Sequence, residues 1–313
     1  MSDPTHLLIA FAAGSPPEAR EALRTLRLPR LERLLHRLQP RPPEPVDELA
    51  PETPHERALA KALGLDAGPG RTPWAAHALH RAGRSPGTDA WAWITPCHWK
   101  VNADHVEMLD PVDLALSDAE TAVLLEAMRG YFAEDGIALH PLSAGTWLAH
   151  GAVFKDLPTA SLERARDARI DTWMPRQTQA SPLRRLQNEM QMLLYTHPMN
   201  DARAAQRRTT VNSFWVSGTG DLPQGYRTNT SPPPCRTLDA LRTASLRDDA
   251  AGWVQAWQTL DTTELAAVDT STLTLTLCGE HSAQTFAPPT GSWLTRLRRR
   301  LTAPSPNTLL ASL

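Results

Sequence analysis

Two periods of apolar residues run through this chain, and they divide it into strand-like and helix-like segments. Near the start, "HLLIAFA" is a continuous apolar run of strand length, closed by a glycine and proline turn. A helical stretch follows, ending "LPRLERLLHRL", in which Leu31, Leu34, Leu35 and Leu38 recur at three and four residues and form one stripe. Residues 40–56 are rich in proline, which removes backbone donors, so an exposed linker is expected there. A short helix, "ERALAKAL", comes next.

The middle of the chain predicts a hairpin, a helix and a second hairpin, an α+β portion spanning roughly 88–155. "AWAWITPCHWKVNADHVEMLD" sets Trp91, Trp93, Cys97 and Trp99 on one side of an extended segment, with "NAD" as the turn to a returning strand. In "LSDAETAVLLEAMRGYFAEDG", Ser117 and Glu120 have capping-box spacing, and Val123, Leu124, Ala127 and Tyr131 follow the helical period up to the stop at Gly136. "IALHPL" and "TWLAHGAVF" read as two more strands. A helix over "SPLRRLQNEMQMLLY" carries Leu183, Leu186, Met190 and Leu194 on one face, and Val211 to Val216 should enter a sheet. "STLTLTLCGE" alternates strictly, as a strand does. "GSWLTRLRRRL" is an amphipathic basic helix, and residues 301–313 are expected to be a flexible tail. These elements predict an α/β protein, a mixed sheet with flanking helices: residues 1–39 supply the first strand and helix, and 57–300 form the body.

Composition narrows the function classes. With 313 residues, 41% of them apolar, the chain can bury a large core, and a net charge of -2 implies no obligatory polyanionic partner. Cys97, Cys235 and Cys278 show no short paired spacing, so no disulfide framework and no cysteine zinc site is expected, and a reducing cytoplasm is the expected location. The apolar run Leu7 to Ala13 is too short to span a bilayer and is preceded by no basic residue, so no transmembrane segment or signal peptide is expected.

Candidate chemistry concentrates in "HPMNDARAAQRRTTVNSFWVSGTG". Proline after His197 biases the backbone away from helix, which leaves the imidazole at the end of an element. Asn200, Arg203 and Asn212 then gather near the same rim, where arginine offers a fork of donors to a carboxylate or phosphate and asparagine orients hydroxyls. The alternative is local: asparagine after proline forms turns, and a histidine at a helix end meets backbone carbonyls. A secondary candidate is His98, Asp104 and His105, with the two imidazoles facing each other across a hairpin turn and Asp104 orienting either ring. The terminal helix, with Arg296, Arg298, Arg299 and Arg300 on its cationic side and Trp293 on the apolar side facing away, is a candidate for contact with a partner or an anionic surface.

The same stretch resembles one in archaeal-type cofactor-independent phosphoglycerate mutases. There H-P-V-N, an arginine three residues on, and A-N before an apolar run leading to R-G-A-G recur; His197, Pro198, Asn200, Arg203 and Asn212 match in type and interval. Over most of its length the chain is similar to bacterial RpfE-type proteins, a group labelled as mutases or regulatory proteins, through "LRLPRLERLL", "RRLQNEMQMLLYTHPMND", "VNSFWVSG" and "LTLCGE". The resemblance implies an alkaline-phosphatase-superfamily-like scaffold, whose chemistry uses two divalent metals held by aspartates and histidines. This sequence departs from that pattern. Phe11, Ala12 and Ala13 stand where an Asp-Gly pair ends the first strand, Ser217 stands for the arginine of R-G-A-G, and only Glu280 and His281 follow the last apolar strand.

The expectation is therefore a degenerate scaffold that binds a small phosphorylated or carboxylated metabolite through His197, Asn200, Arg203 and Asn212, with no resident metal or cofactor. One alternative is an active phosphoglycerate mutase with rewired ligands, which would need manganese or magnesium. A second is a regulatory or scaffolding protein acting through macromolecular contacts.

Overall fold

The computed structural model describes residues 5–14, 17–226, 235–289 and 304–313. The expected basic helix over residues 291–301 lies outside the described residues. In chain order the strands are β1 (Thr5–Ile9), β2 (Gln39–Pro40), β3 (Glu44–Pro45), β4 (Trp91–Cys97), β5 (Trp99–Val101), β6 (Val106–Met108), β7 (Ala138–Ser143), β8 (Thr146–His150), β9 (Ala168–Arg169), β10 (Ser213–Gly220), β11 (Arg236–Leu238), β12 (Leu273–Cys278) and β13 (Ser282–Ala287). The class is mixed α/β, with several sheets and flanking helices. Among the described residues no helix is long and apolar enough to cross a membrane.

The chain divides into two compact units, where the sequence suggested one body with a linker. The first unit comprises residues 1–48, 53–64 and 229–313, and the second comprises 49–52 and 65–228.

In the first unit β1 runs parallel to β11 on one side and β12 on the other, and β13 returns antiparallel to β12. Successive side chains of a strand point to opposite faces, which explains the unbroken apolar run at the start of the chain. Leu7 and Ile9 enter a core with Leu31, Leu35, Trp257 and Phe286, while Leu8 and Ala10 pack on the other face beside Cys235, Cys278 and Leu59. The stripe at Leu31, Leu34 and Leu35 is buried in the helix Pro29–Arg37, and each such side chain contributes about 1.5–3 kcal/mol. No side chain caps that helix locally. Instead the buried Asp261 accepts from the Arg30 N–H at 3.1 Å and the Leu31 N–H at 2.8 Å. Two expectations fail here. The proline-rich run is not simply linker, because Gln39–Pro40 and Glu44–Pro45 pair with β13, at an edge where a missing donor costs no interior ladder bond. Nor are residues 304–313 a loose tail: Pro306–Leu310 is helical, and Leu309, Leu310 and Leu313 are buried in the core.

The second unit is built on an antiparallel sheet ordered β10-β4-β8-β7. The helices Asp118–Glu134 and Ser181–Tyr195 contribute Leu124, Met128, Phe132, Leu183, Leu186 and Met190 to one core, and the helix Trp74–Arg81 packs Ala75, Ala76 and Leu79 against Trp91 and Leu148. Ser117 and Glu120 form the capping box as the spacing predicted. The buried face of that helix differs, however: Leu124 is inside, but Val123 is 47% and Tyr131 38% exposed, while Leu125, Met128 and Phe132 are buried. Two overlapping apolar stripes share this segment, and the one carrying Leu125, Met128 and Phe132 takes the core. The hairpin turning at "NAD" forms from β5 and β6, with Trp99 opposite Met108, whereas β4 belongs to the larger sheet.

Candidate functional site

The stretch from 194 to 220 is a tightly wired connection. His197 caps the helix Pro198–Ala205, its Nδ1 accepting from the Met199 N–H at 3.2 Å. Asn200 donates through Nδ2 to the carbonyls of Leu194 (2.8 Å) and Val211 (2.6 Å) and accepts at Oδ1 from the Val211 N–H (2.9 Å). Arg203 is only 2% exposed. Its guanidinium donates to the carbonyls of Thr209 (2.7 Å) and Leu114 (2.6 Å) and to Glu120 Oε1 (2.7 Å). Asn212 accepts from the Trp99 N–H at 2.7 Å and donates to the Trp99 carbonyl at 2.9 Å, continuing the sheet pairing where β4 ends. The four residues do cluster along this segment, but in the roles of the local alternative: a cap and three replacements for missing backbone partners. A ligand-facing rim is corrected on this physical ground, because buried carbonyls and N–H groups have already taken the amide and guanidinium groups.

Glu120 closes this network. Burial acts to raise its pKa, but the Ser117 backbone N–H, the Arg203 guanidinium and the Ser117 hydroxyl outweigh it and bring the carboxyl down to about 2.

The hairpin candidate comes apart as well. His98 Nδ1 lies 2.8 Å from the Thr210 carbonyl, whereas His105 sits four residues further along the hairpin opposite Asn102, about 13 Å away at strand rise. The imidazoles therefore do not face one another. Asp104 does orient His105, with Oδ1 to Nδ1 at 2.7 Å, and this hydrogen bond and the His105 charge lower the exposed Asp104 carboxyl below its ordinary value.

The strand end that would supply a metal ligand in the resembled superfamily does not fit one. Phe11 takes a left-handed backbone conformation, φ 56°. The carbonyls of Phe11 and Ala12 accept from the indole N–H groups of Trp253 (3.0 Å) and Trp257 (3.2 Å). Burial pushes the nearby Cys278 thiol well above the usual thiol range. Glu280 and His281 stand 3.9 Å apart, and both are about half exposed. Two hard cations need several carboxylate or imidazole ligands, and Phe11, Ala12 and Ala13 at this strand end supply none.

What the first unit does hold at that end is a cavity of about 460 Å³. Its lining includes Ala13 and Gly14, just past β1; Glu280 and His281, just past β12; and Arg20 and Arg24 from the helix Pro17–Thr25. Open α/β sheets bind ligands outside the carboxyl ends of their parallel strands, and this is such a place. Asn307, Thr308 and Leu313 form another part of the wall. The Leu313 carbonyl accepts from the N–H groups of His281 and Ser282, both at 3.0 Å, and from the Ser282 hydroxyl at 3.2 Å. Gly279 permits this approach, since a Cβ there would meet Leu313 at 2.5 Å.

Both arginines at the cavity are held loosely. Arg20 is 3.8 Å from Glu280, and Arg24 is 3.0 Å from Glu21 on its own helix, with the arginine side chains 65% and 77% exposed. Such pairs contribute about 0–1 kcal/mol, so an incoming anion can replace the glutamate at little cost. The sequence did carry a signal for this pair: two arginines four residues apart in the first turns after the opening strand.

Two buried polar groups escaped the sequence reading altogether. In the second unit the Thr72 hydroxyl donates to Glu52 Oε1 at 2.6 Å, with both residues buried. On the helix Trp74–Arg81, His77 is buried, and its pKa is lowered to about 4, first by burial and then by the charges of Arg81 and His80.

Comparison with known proteins gives limited likeness. No family model and no curated protein matches the chain. Among solved structures, the chain is similar to the PH0037 protein from Pyrococcus horikoshii at 14% identity, covering 92% of this chain and 88% of that one, with a TM-score of 0.49. It is similar to a cofactor-independent phosphoglycerate mutase from Thermoplasma acidophilum at 13% identity, covering 92% and 91%, with a TM-score of 0.35. At these scores neither likeness fixes the topology of this chain.

Proposed function

We propose that this protein binds a small phosphorylated or carboxylated metabolite in the strand-end cavity of its first unit, on a mutase-like scaffold that no longer carries out two-metal phosphoryl transfer. The observation that carries this reading is the placement of Arg20 and Arg24 on a cavity at the carboxyl ends of β1 and β12. Guanidinium groups match carboxylate and phosphate geometry, and weakly paired ones are free to exchange partners. The loss of catalysis is supported by Phe11, Ala12 and Ala13, apolar residues that stand where the resembled pattern has an Asp-Gly pair.

Thermal-shift titration of the purified chain with 3-phosphoglycerate, other phosphorylated acids and citrate tests the binding half. A ligand at a hundred times its Kd stabilises the native state by about 2.7 kcal/mol, so a rise in Tm that disappears in Arg20→Ala/Arg24→Ala is expected. No shift at millimolar ligand would remove the proposal. The catalytic half is tested separately: turnover of 3-phosphoglycerate on addition of manganese or magnesium would show an active mutase with rewired ligands.

A further inference from the structure

The second unit carries a side-chain cluster that neither the connection at 194–220 nor the cavity uses. On the helix Trp74–Arg81, His77 and His80 are three residues apart and therefore neighbours on one face. The Tyr226 ring lies edge-on to both, 5.9 Å from the His77 ring and 6.0 Å from that of His80. Trp74 packs edge-on against His77 at 6.0 Å and limits the rotation of that imidazole. The Nε2 atoms of both histidines are closed to solvent and have no hydrogen-bond partner. Other buried ring nitrogens among the described residues also lack a partner, those of Trp93 and His140 among them, but only here do two such imidazoles stand one helical turn apart beside a phenol.

We propose that His77 Nε2, His80 Nε2 and the Tyr226 hydroxyl oxygen form a site for a divalent first-row transition ion of the zinc class. Neutral imidazole nitrogens are the preferred ligands of such ions, whereas magnesium and calcium take oxygen ligands. Three protein donors leave the fourth tetrahedral position open to water or a small ligand. A phosphate or carboxylate is the weaker fit, because the two nitrogens are shut off from solvent and a lone ion needs far less space than an oxyanion. Binding places the ring protons on Nδ1, leaving Nε2 lone pairs for the metal, and releases the phenol proton of Tyr226 to solvent.

The test uses the full chain stripped with a chelator and titrated with zinc chloride or cobalt chloride alone. One equivalent of zinc is expected to bind, with a phenolate difference band in the ultraviolet and, for cobalt, the visible absorption of a four-coordinate site. His77→Ala and His80→Ala should each weaken zinc binding by about tenfold or more, and Tyr226→Phe should abolish the phenolate band. His105→Ala, which alters a partly buried imidazole on another hairpin, should leave zinc binding unchanged. If His77→Ala fails to fold by circular dichroism, His80→Gln, at the less buried of the two residues, gives the same reading. Failure of the wild type to bind zinc at about 100 μM, or equal affinity in the His77, His80 and wild-type proteins, would overturn the site.

Discussion

Arg203 and Arg20 belong to the same residue type, and each sits beside a glutamate, yet they occupy opposite kinds of place. Arg203 is 2% exposed and donates to two carbonyls and to Glu120. Arg20 is largely exposed and touches Glu280 only at 3.8 Å. The difference teaches that burial, more than polarity or spacing, separates an arginine that builds the fold from one that remains available to a ligand. A buried guanidinium must satisfy its donors within the protein, because unpaired charge in the interior is costly. An exposed one has water as its alternative partner and exchanges it readily.

The largest effect is therefore expected at the buried member. Arg203→Ala leaves Glu120 without its closest cation and strips donors from the Thr209 and Leu114 carbonyls, which should destabilise the chain by about 3–5 kcal/mol in urea unfolding. Arg20→Ala measured the same way should change stability by no more than about 0.5 kcal/mol. Equal losses at the two sites would break the comparison.

A smaller effect is expected where a buried carboxylate does the work of a cap. Asp261→Ala removes the acceptor for the first N–H groups of the helix Pro29–Arg37 and should cost about 1–2 kcal/mol in the same measurement. Asp261→Asn, which keeps one acceptor oxygen, should recover part of it. No recovery would mean that charge, and not the hydrogen bonds, carries the effect.

The pH dependence sharpens the comparison further, because Glu120, the carboxylate partner of the buried arginine, titrates low. Glu120 falls from 4.5 to about 2 in the folded chain. A carboxyl depressed on folding stabilises above its unfolded pKa, and that contribution disappears as pH falls through the folded value. Stability should therefore drop between about pH 4.5 and 2 in the wild type, and Glu120→Gln should flatten that limb of the curve. An unchanged acid limb in the variant would show that the carboxyl is not held by Arg203 and Ser117.

Local rules made much of the fold legible in the sequence. Leu183, Leu186, Met190 and Leu194 are buried as their spacing predicts, "STLTLTLC" is β12, and Ser117 with Glu120 caps its helix. What local rules could not show is which groups distant backbone would claim. The partner of Asn212 is Trp99, and those of Arg203 include Leu114 and Glu120, all roughly a hundred residues away in sequence. A motif-like cluster around His197 therefore looked like a site, while its side chains answer unpaired backbone groups brought there by the tertiary fold. The cavity was hidden for the converse reason. Its wall joins residues near 13–24, 280 and 307, none of which forms a motif alone.

The smallest effect on stability should accompany the largest effect on binding. Arg20→Ala/Arg24→Ala removes two exposed guanidiniums whose ion pairs contribute about 0–1 kcal/mol each, so the Tm without ligand should stay within a degree or two of the wild type. The ligand-induced rise, by contrast, should vanish, since these are the cationic groups that α1, the helix Pro17–Thr25, presents to the cavity. Glu280→Gln is the companion variant. It frees Arg20 from its only described carboxylate neighbour and should strengthen anion binding while leaving the fold intact. If neither substitution alters the titration and Arg203→Lys does, the anion is held at the buried connection after all, and the separation drawn between the two arginines fails.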